Sequence, residues 1–137
     1  MKQTRLVMLL LVALVAVSAE AKQVRMSSMY MFGFSASFKD SVIYMTDVQQ
    51  VEGAWIDTKT KFLLGRENYS HQLKEYLADK LQQPERVCMV FFAKKKKKAE
   101  KLYLKMKRKY VEKSKGNYDV RYLNERAFKF EAVEMEN

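Results

Sequence analysis

The sequence predicts a single domain of the α/β (or α+β) class, with a mixed sheet of four or five strands and two helices. Two segments alternate apolar and polar residues with period two, two others repeat apolar residues at helical spacing, and residues 87–92 are apolar without a break. The predicted order is β-β-α-β-α-β, with an optional short strand at the end. Right-handed crossovers would make the second, third and fourth strands parallel, and the first antiparallel to the second. Strand order stays open, as does whether both helices share one face of the sheet.

The first two strands are predicted to form an antiparallel hairpin. Residues 29–38 place Phe32, Phe34, Ala36 and Phe38 on one face and small residues on the other. Residues 41–48 alternate again, and Lys39-Asp40 supplies a two-residue turn between the segments.

The first helix is predicted to begin at a cap on Asn68 or Ser70 and to run to about Gln83, where Pro84 stops it. Its apolar stripe consists of Tyr69, Leu73, Tyr76, Leu77 and Leu81. Residues 87–92 follow as the predicted central and most buried strand, because a strand that is apolar on both faces is usually covered on both. Cys88 within this run is interpreted as a small buried hydrophobe.

The second helix is predicted over about residues 95–115, with Gly116 as its left-handed C-terminal cap. Its apolar stripe consists of Ala99, Leu102, Tyr103, Met106 and Tyr110. Residues 118–122 alternate as the last full strand, residues 128–130 are the optional edge strand, and the acidic residues 131–137 are expected to fray.

The first 21 residues have the layout of a secretory signal peptide. Lys2 and Arg5 precede an apolar run over residues 6–17, and small residues follow at Ala19 and Ala21. The run is too short to span a bilayer, which needs about 20 residues. We therefore expect a mature chain of residues 22–137 in the periplasm or the medium, with no transmembrane segment. Cys88 is the only cysteine, so none directly follows the signal to carry a lipid.

The positive charge is concentrated in one segment. The whole chain has a net charge of +10, and residues 94–115 alone hold twelve Lys and Arg against Glu100 and Glu112. On a helical wheel, seven cations lie opposite the apolar stripe of the second helix, and only Glu112 interrupts them. They are Lys94, Lys97, Lys98, Lys101, Lys105, Arg108 and Lys109. This face is either simply solvated or an anion-binding surface for an acidic protein, an anionic lipid surface or an acidic glycan. The export signal, and the lack of aromatic residues on this face, argue against nucleic acid.

A second candidate site lies at the carboxyl ends of the parallel strands, where open α/β sheets tend to bind ligands. Thr46, Asp47, Lys94 and Asn124 are expected at this rim, with Trp55 near them. Scattered polar groups around one carboxylate are not a catalytic constellation, so ordinary strand-end polarity is the simpler interpretation.

No catalytic residue, metal site or cofactor is predicted. His71 is the only histidine, and no further ligands accompany it at metal-binding spacing. Asn68-Tyr69-Ser70 fits the acceptor pattern for N-glycosylation but is also explained as a helix cap. Asp40-Ser41-Val42 fits a short O-glycosylation pattern at Ser41, although Asp-Ser is also common in turns.

Three stretches of sequence together resemble a group of small exported proteins of gut Bacteroidota. The first is FGFSASF at 32–38 with DS at 40–41 and YMTD at 44–47, the second is LGR at 64–66 with NYS at 68–70, and the third is KMKRKY at 105–110. The resemblance covers most of the mature chain and implies a bacterial periplasmic location, without implying any chemistry.

Three hypotheses for function follow. The first is an exported, non-enzymatic binding or interaction module of the cell envelope that contacts an anionic partner through its basic helix. The second is a small cell-envelope enzyme that acts at the rim near Asp47. The third is a structural or regulatory subunit whose basic helix is only solvated or docks on an acidic partner. The oligomeric state is not predicted.

Overall fold

Seven strands and two α-helices follow one another along residues 22–135, the part of the chain that the computed structural model describes. The strands are β1 (Gln23–Arg25), β2 (Met29–Ala36), β3 (Val42–Thr46), β4 (Gln49–Val51), β5 (Trp55–Asp57), β6 (Val87–Ala93) and β7 (Asp119–Leu123). The helices are α1 (Arg66–Leu81) and α2 (Lys96–Lys107), and a π-helical turn (Arg108–Glu112) continues α2. These elements form a single mixed α+β domain and confirm the predicted class. The predicted signal peptide lies outside the described residues.

The main sheet is built around β2. This strand pairs antiparallel with β6 along one side and with β3 and then β4 along the other, and β7 pairs parallel with β3. The order across the sheet is therefore β6-β2-β3-β7, with β4 continuing the line of β3. The predicted directions are confirmed, because β3, β6 and β7 all run opposite to β2. Strands β1 and β5 form a separate two-stranded sheet.

The two helices cover opposite faces of the main sheet. Alternate residues of a strand point to opposite faces, and in β2 Met31 joins the core beside α1 whereas Phe32 joins the core beside α2. Tyr69, Leu73 and Leu77 of α1 are fully buried in the first of these cores. The domain thus has three layers, with the sheet between the two helices. The sequence had left open whether both helices lie on the same face of the sheet.

Strand β6 is an edge strand, so the prediction that residues 87–92 form the most buried strand was wrong. Its side chains Val87 and Met89 are 49% and 43% exposed. The central strand is β2, where even the small residues Gly33 and Ser35 are buried. The apolar run correctly indicates that β6 is a hydrophobic strand. It does not predict how deeply β6 is buried, because burial depends on strand order, and strand order is set by pairing between residues distant in sequence.

The ends of both helices differ from the prediction. Helix α1 begins after Gly65, which is the N-cap at a φ of 72° and offers no side-chain cap. Asn68 and Ser70 lie inside the helix, so the prediction that one of them is the N-cap was wrong. The helix ends at Leu81, and the N–H of Gln82 closes it by donating to the carbonyl of Leu77. Helix α2 is shorter than predicted, because its last residues adopt the π-helical turn.

The segment after β7 docks through side-chain amides, not as the optional edge strand. The Gln49 Nε2 donates to the Phe128 carbonyl, and the Gln49 Oε1 accepts from the Phe130 N–H, both at 2.8 Å. Gln72 makes the same pair of bonds with Glu131. The Tyr69 hydroxyl accepts from the Val133 N–H at 3.0 Å. The expected fraying is therefore wrong as far as Val133, since these amides supply partners that a neighbouring strand would otherwise provide.

Candidate polyanion-binding surface

Packing of α2 on the sheet fixes which side of the helix faces outward. Ala99 is fully buried, and the Tyr103 ring packs edge-on to Phe32 with 5.4 Å between ring centroids. The Tyr110 ring lies 4.9 Å from that of Phe34. The predicted apolar stripe is therefore confirmed as the packing face, and the basic face lies on the opposite side.

All seven predicted cations of this basic face are exposed. They are Lys94, Lys97, Lys98, Lys101, Lys105, Arg108 and Lys109. The salt bridges within residues 22–135 join Lys39 to Glu85, His71 to Glu75, Arg86 to Asp40 and Arg121 to Asp119, and none of them includes a member of the basic face. The basic face therefore carries charge that no acidic side chain in the described part of the chain neutralises by direct contact.

The first turn of α2 adds to this positive field. The N-cap is Lys95, in an extended conformation and without a side-chain hydrogen bond to the helix. The turn contains Lys96, Lys97 and Lys98 and no acidic residue. Because the N-terminal end of a helix carries a partial positive charge, cations there are unfavourable for the helix itself. An anion bound to the basic face would relieve both the mutual repulsion of the lysines and this unfavourable placement.

Three of the residues predicted at the rim, Thr46, Asp47 and Asn124, make hydrogen bonds that stabilise the fold. Thr46 is fully buried, and its Oγ1 accepts from the Gly33 N–H at 2.8 Å and donates to the Asp47 carbonyl at 3.0 Å. Asp47 is half-buried, and its N–H donates to the Leu123 carbonyl. The Asn124 Oδ1 accepts from two backbone N–H groups of the turn that follows β7.

Trp55 lies in β5, within the smaller sheet, and its Nε1 is buried without a hydrogen-bond partner among the described residues. Thr46, Asp47 and Trp55 line none of the five main surface depressions found between residues 22 and 135. Lys94 is exposed just before α2. Thr46 is thus hydrogen-bonded to its neighbour Asp47, but none of these five depressions brings the two together with Trp55.

The remaining sequence candidates lie on loops and on α1. Ser41 is exposed in the turn before β3, and its carbonyl accepts from the Asp119 N–H at 2.9 Å. The exposed His71 Nε2 lies 2.9 Å from Glu75 Oε1. Cys88 is half-buried, and burial raises the pKa of its thiol, although a contact of 3.6 Å with Ser35 Oγ opposes this.

Sequence reasoning missed a set of exposed apolar side chains beside the basic face. Leu104 and Val111 are 54% and 40% exposed, and Tyr118 and Tyr122 are 43% and 46% exposed. We call these four residues the apolar patch. Leu104 and Val111 are the apolar residues of this segment that fall off the buried stripe, and this was the signal available in the sequence.

Comparisons with protein-family models, curated proteins and solved structures found no match to this chain. Between residues 22 and 135, neither helix combines the length and apolar composition needed to cross a bilayer. In the same range, no group of three or more His, Cys, Asp or Glu side chains is placed to hold a metal ion.

Proposed function

We propose that this protein is an exported, non-enzymatic binding module of the cell envelope that contacts an anionic partner through the basic face of α2. The observation that carries the proposal is the concentration of exposed cations on one side of one helix, without acidic partners in contact. The same segment accounts for the whole net charge of the chain.

The spacing of these cations favours an extended partner over a small ion. Lys97, Lys101, Lys105 and Arg108 recur every three or four residues, so they span about 16 Å at roughly 1.5 Å per residue. A single exposed ion pair contributes only about 0–1 kcal/mol. Useful affinity therefore requires several contacts at once, which a polyanion or a charged surface provides.

The proposed location outside the cytoplasm is supported by the signal-like pattern of residues 1–21 and by the resemblance to exported proteins of gut Bacteroidota. N-terminal sequencing of the native protein tests it, with Lys22 expected as the first residue. If the cytoplasmic protein kept an intact Met1, export would be contradicted. The proposal that the basic face binds an anionic partner would not be affected.

Charge reversal on the helix tests the binding proposal. We expect the variant K97E/K101E/K105E/R108E to lose retention on heparin, used here as a soluble polyanion. Retention of the parent protein should fall steeply with salt, because binding to a polyanion releases its counterions. None of the four residues belongs to the packing face, so the circular dichroism spectrum should not change.

The matched control is K22E/K59E/K74E/K129E, which changes the net charge equally at exposed lysines outside α2. Retention of this control should stay close to that of the parent. Equal loss in both variants would mean that heparin responds only to net charge, and the proposed binding surface would be wrong.

A further inference from the structure

The apolar patch borders the basic face, because Leu104 and Val111 lie four residues before and three residues after Arg108. The Lys107 Nζ lies 5.5 Å from the centre of the Tyr122 ring, and the Tyr110 and Tyr118 rings are 5.2 Å apart. The first contact joins the end of α2 to β7, and the second joins the π-helical turn to the residue just before β7. Leu104 is three residues before Lys107 and therefore shares its side of the helix.

Leu104 lies among charged residues, most of which are cations. Lys101 and Arg108 occupy the positions three before and four after it, which are its neighbours on a helix surface, and Glu100 occupies the position four before it. Leu104 lines a shallow depression on the outer side of α2 together with Lys95, Lys97, Lys98, Glu100 and Lys101. The exposed Leu104 would gain nothing from a sulfated or phosphorylated chain alone.

We propose that this surface docks on an anionic lipid bilayer, a partner that would satisfy both features. The cations would meet lipid phosphates, while Leu104 and Val111 would enter the boundary between headgroups and acyl chains. Helices that bind in the plane of a bilayer combine an apolar face with Lys and Arg residues. In α2 the apolar stripe is packed on the sheet, so the exposed Leu104 and Val111 would supply the apolar contact, and tyrosines are enriched at the same depth of a bilayer. The long lysine side chains allow their charges to stay at headgroup level while their stems lie along apolar surface.

This inference rests on the proposed function, since it identifies the anionic partner of the same helix. A soluble polyanion would use the cations alone. A bilayer would use the cations and the apolar patch together, and this difference can be measured.

Vesicle binding of the full mature chain distinguishes a bilayer from a soluble polyanion as the partner. We expect binding to vesicles of phosphatidylglycerol and phosphatidylcholine in equal parts, and none to vesicles of phosphatidylcholine alone. The variant L104S/V111S should bind the anionic vesicles about tenfold more weakly, while its retention on heparin stays unchanged. The control V24S removes another exposed apolar side chain, on β1, and should bind as the parent does.

A fluorescence measurement reports insertion directly. Trp55 is the only tryptophan, so W55F/L104W carries its single indole at position 104, beside Lys101 and Arg108. The emission of this indole, placed next to the basic face, should shift to shorter wavelength with anionic vesicles and be quenched by brominated acyl chains. A variant with W55F and Val24→Trp, which places the indole on β1, should show neither effect and controls for contact elsewhere on the surface.

Several results would overturn the inference. Retention on heparin without vesicle binding would leave the proposed function standing and exclude the bilayer in favour of a soluble anionic partner. Vesicle binding that L104S/V111S does not weaken would show adsorption by charge alone. Loss of both heparin retention and vesicle binding in the folded parent would remove the proposed function as well.

Discussion

At the scale of single residues, Gly33 sets how closely α1 approaches the sheet. It lies on the central strand β2, and a Cβ at this position would be 2.6 Å from Leu73 Cδ2 and 3.1 Å from Phe130 Cζ. The absence of a side chain therefore lets Leu73 of α1 and the docked C-terminal segment pack directly on the backbone of β2. Glycine is needed here for close approach and not for an unusual backbone angle.

We expect Gly33→Ala to lower the free energy of unfolding by about 1–3 kcal/mol, because the added methyl overpacks the core. Leu73→Ala alone should cost about 2–5 kcal/mol through the cavity it leaves. The double variant should cost less than the sum of the two, since the shorter residue at 73 makes room for the methyl. Urea denaturation of all four proteins measures this, and strict additivity would contradict the contact.

At the scale of elements, the two edges of the main sheet are protected in different ways. Strand β7 carries Asp119 and Arg121, whose side chains pair at 2.9 Å. Strand β6 contains no charged residue and exposes Val87 and Met89. Edge strands of this kind tend to pair with other chains.

Arg66, the first residue of α1, covers part of the β6 edge. Its Nε donates to the Val90 carbonyl at 3.1 Å, and its guanidinium carbon lies 5.4 Å from the centre of the Phe92 ring. The Arg66 side chain thus hydrogen-bonds a carbonyl on the free edge of β6, which a strand from another chain could otherwise pair with.

We predict that Arg66→Ala increases aggregation on mild heating, measured by light scattering. Arg126→Ala removes an exposed arginine outside the sheet and serves as the control. Adding Met89→Lys to Arg66→Ala should restore solubility, because a charge on an edge strand discourages pairing. Equal scattering from the Arg66 and Arg126 variants would show that Arg66 does not protect the edge.

At the scale of the whole molecule, Arg86 ties together two strands that β2 separates. Its side chain is 2% exposed and donates to both carboxylate oxygens of Asp40, at 2.9 and 3.0 Å, and to the Val42 carbonyl at 2.7 Å. The guanidinium also lies over the Tyr44 ring at 4.9 Å. These contacts hold the start of β6 against the start of β3, so they oppose separation of the strands on either side of β2.

This cluster should make stability depend on acid. Hydrogen bonding from the Val42 N–H, together with Arg86, lowers the pKa of Asp40 in the folded protein. A carboxyl group with a lowered folded pKa stabilises the protein above its unfolded pKa of about 3.9, and this contribution is lost as the pH falls through the folded value. Asp40→Asn should therefore destabilise the protein at pH 7, and the difference from the parent should shrink at about pH 3.

Urea midpoints at the two pH values measure this effect. Asp79→Asn removes another exposed carboxylate, on α1, and should change neither midpoint appreciably. A difference between Asp40→Asn and the parent that is the same at both pH values would show that the Asp40 charge does not contribute.

Much of the fold follows from patterns local in the chain. Period-two alternation located β2 and β3, and helical spacing located α1 and α2 with the correct buried stripes. The spacing of apolar residues in α2 also placed the seven cations on the exposed side. These predictions succeed because the geometry of a strand or helix alone decides which neighbouring residues share a face.

The sequence by itself thus determined both helices, the strands β2, β3, β6 and β7, the face that each helix buries and the concentration of charge on α2. The short strands β1, β4 and β5 were not predicted. Tertiary structure alone decided that β2 is central and β6 an edge, since strand order depends on pairings between distant residues such as Phe32 and Phe91. It also decided that Gln49 and Gln72 hold the C-terminal segment, and that Lys107 of α2 lies over the Tyr122 ring of β7. Local periodicity carries no information about such contacts, because it is the packing of separate elements that brings these side chains together.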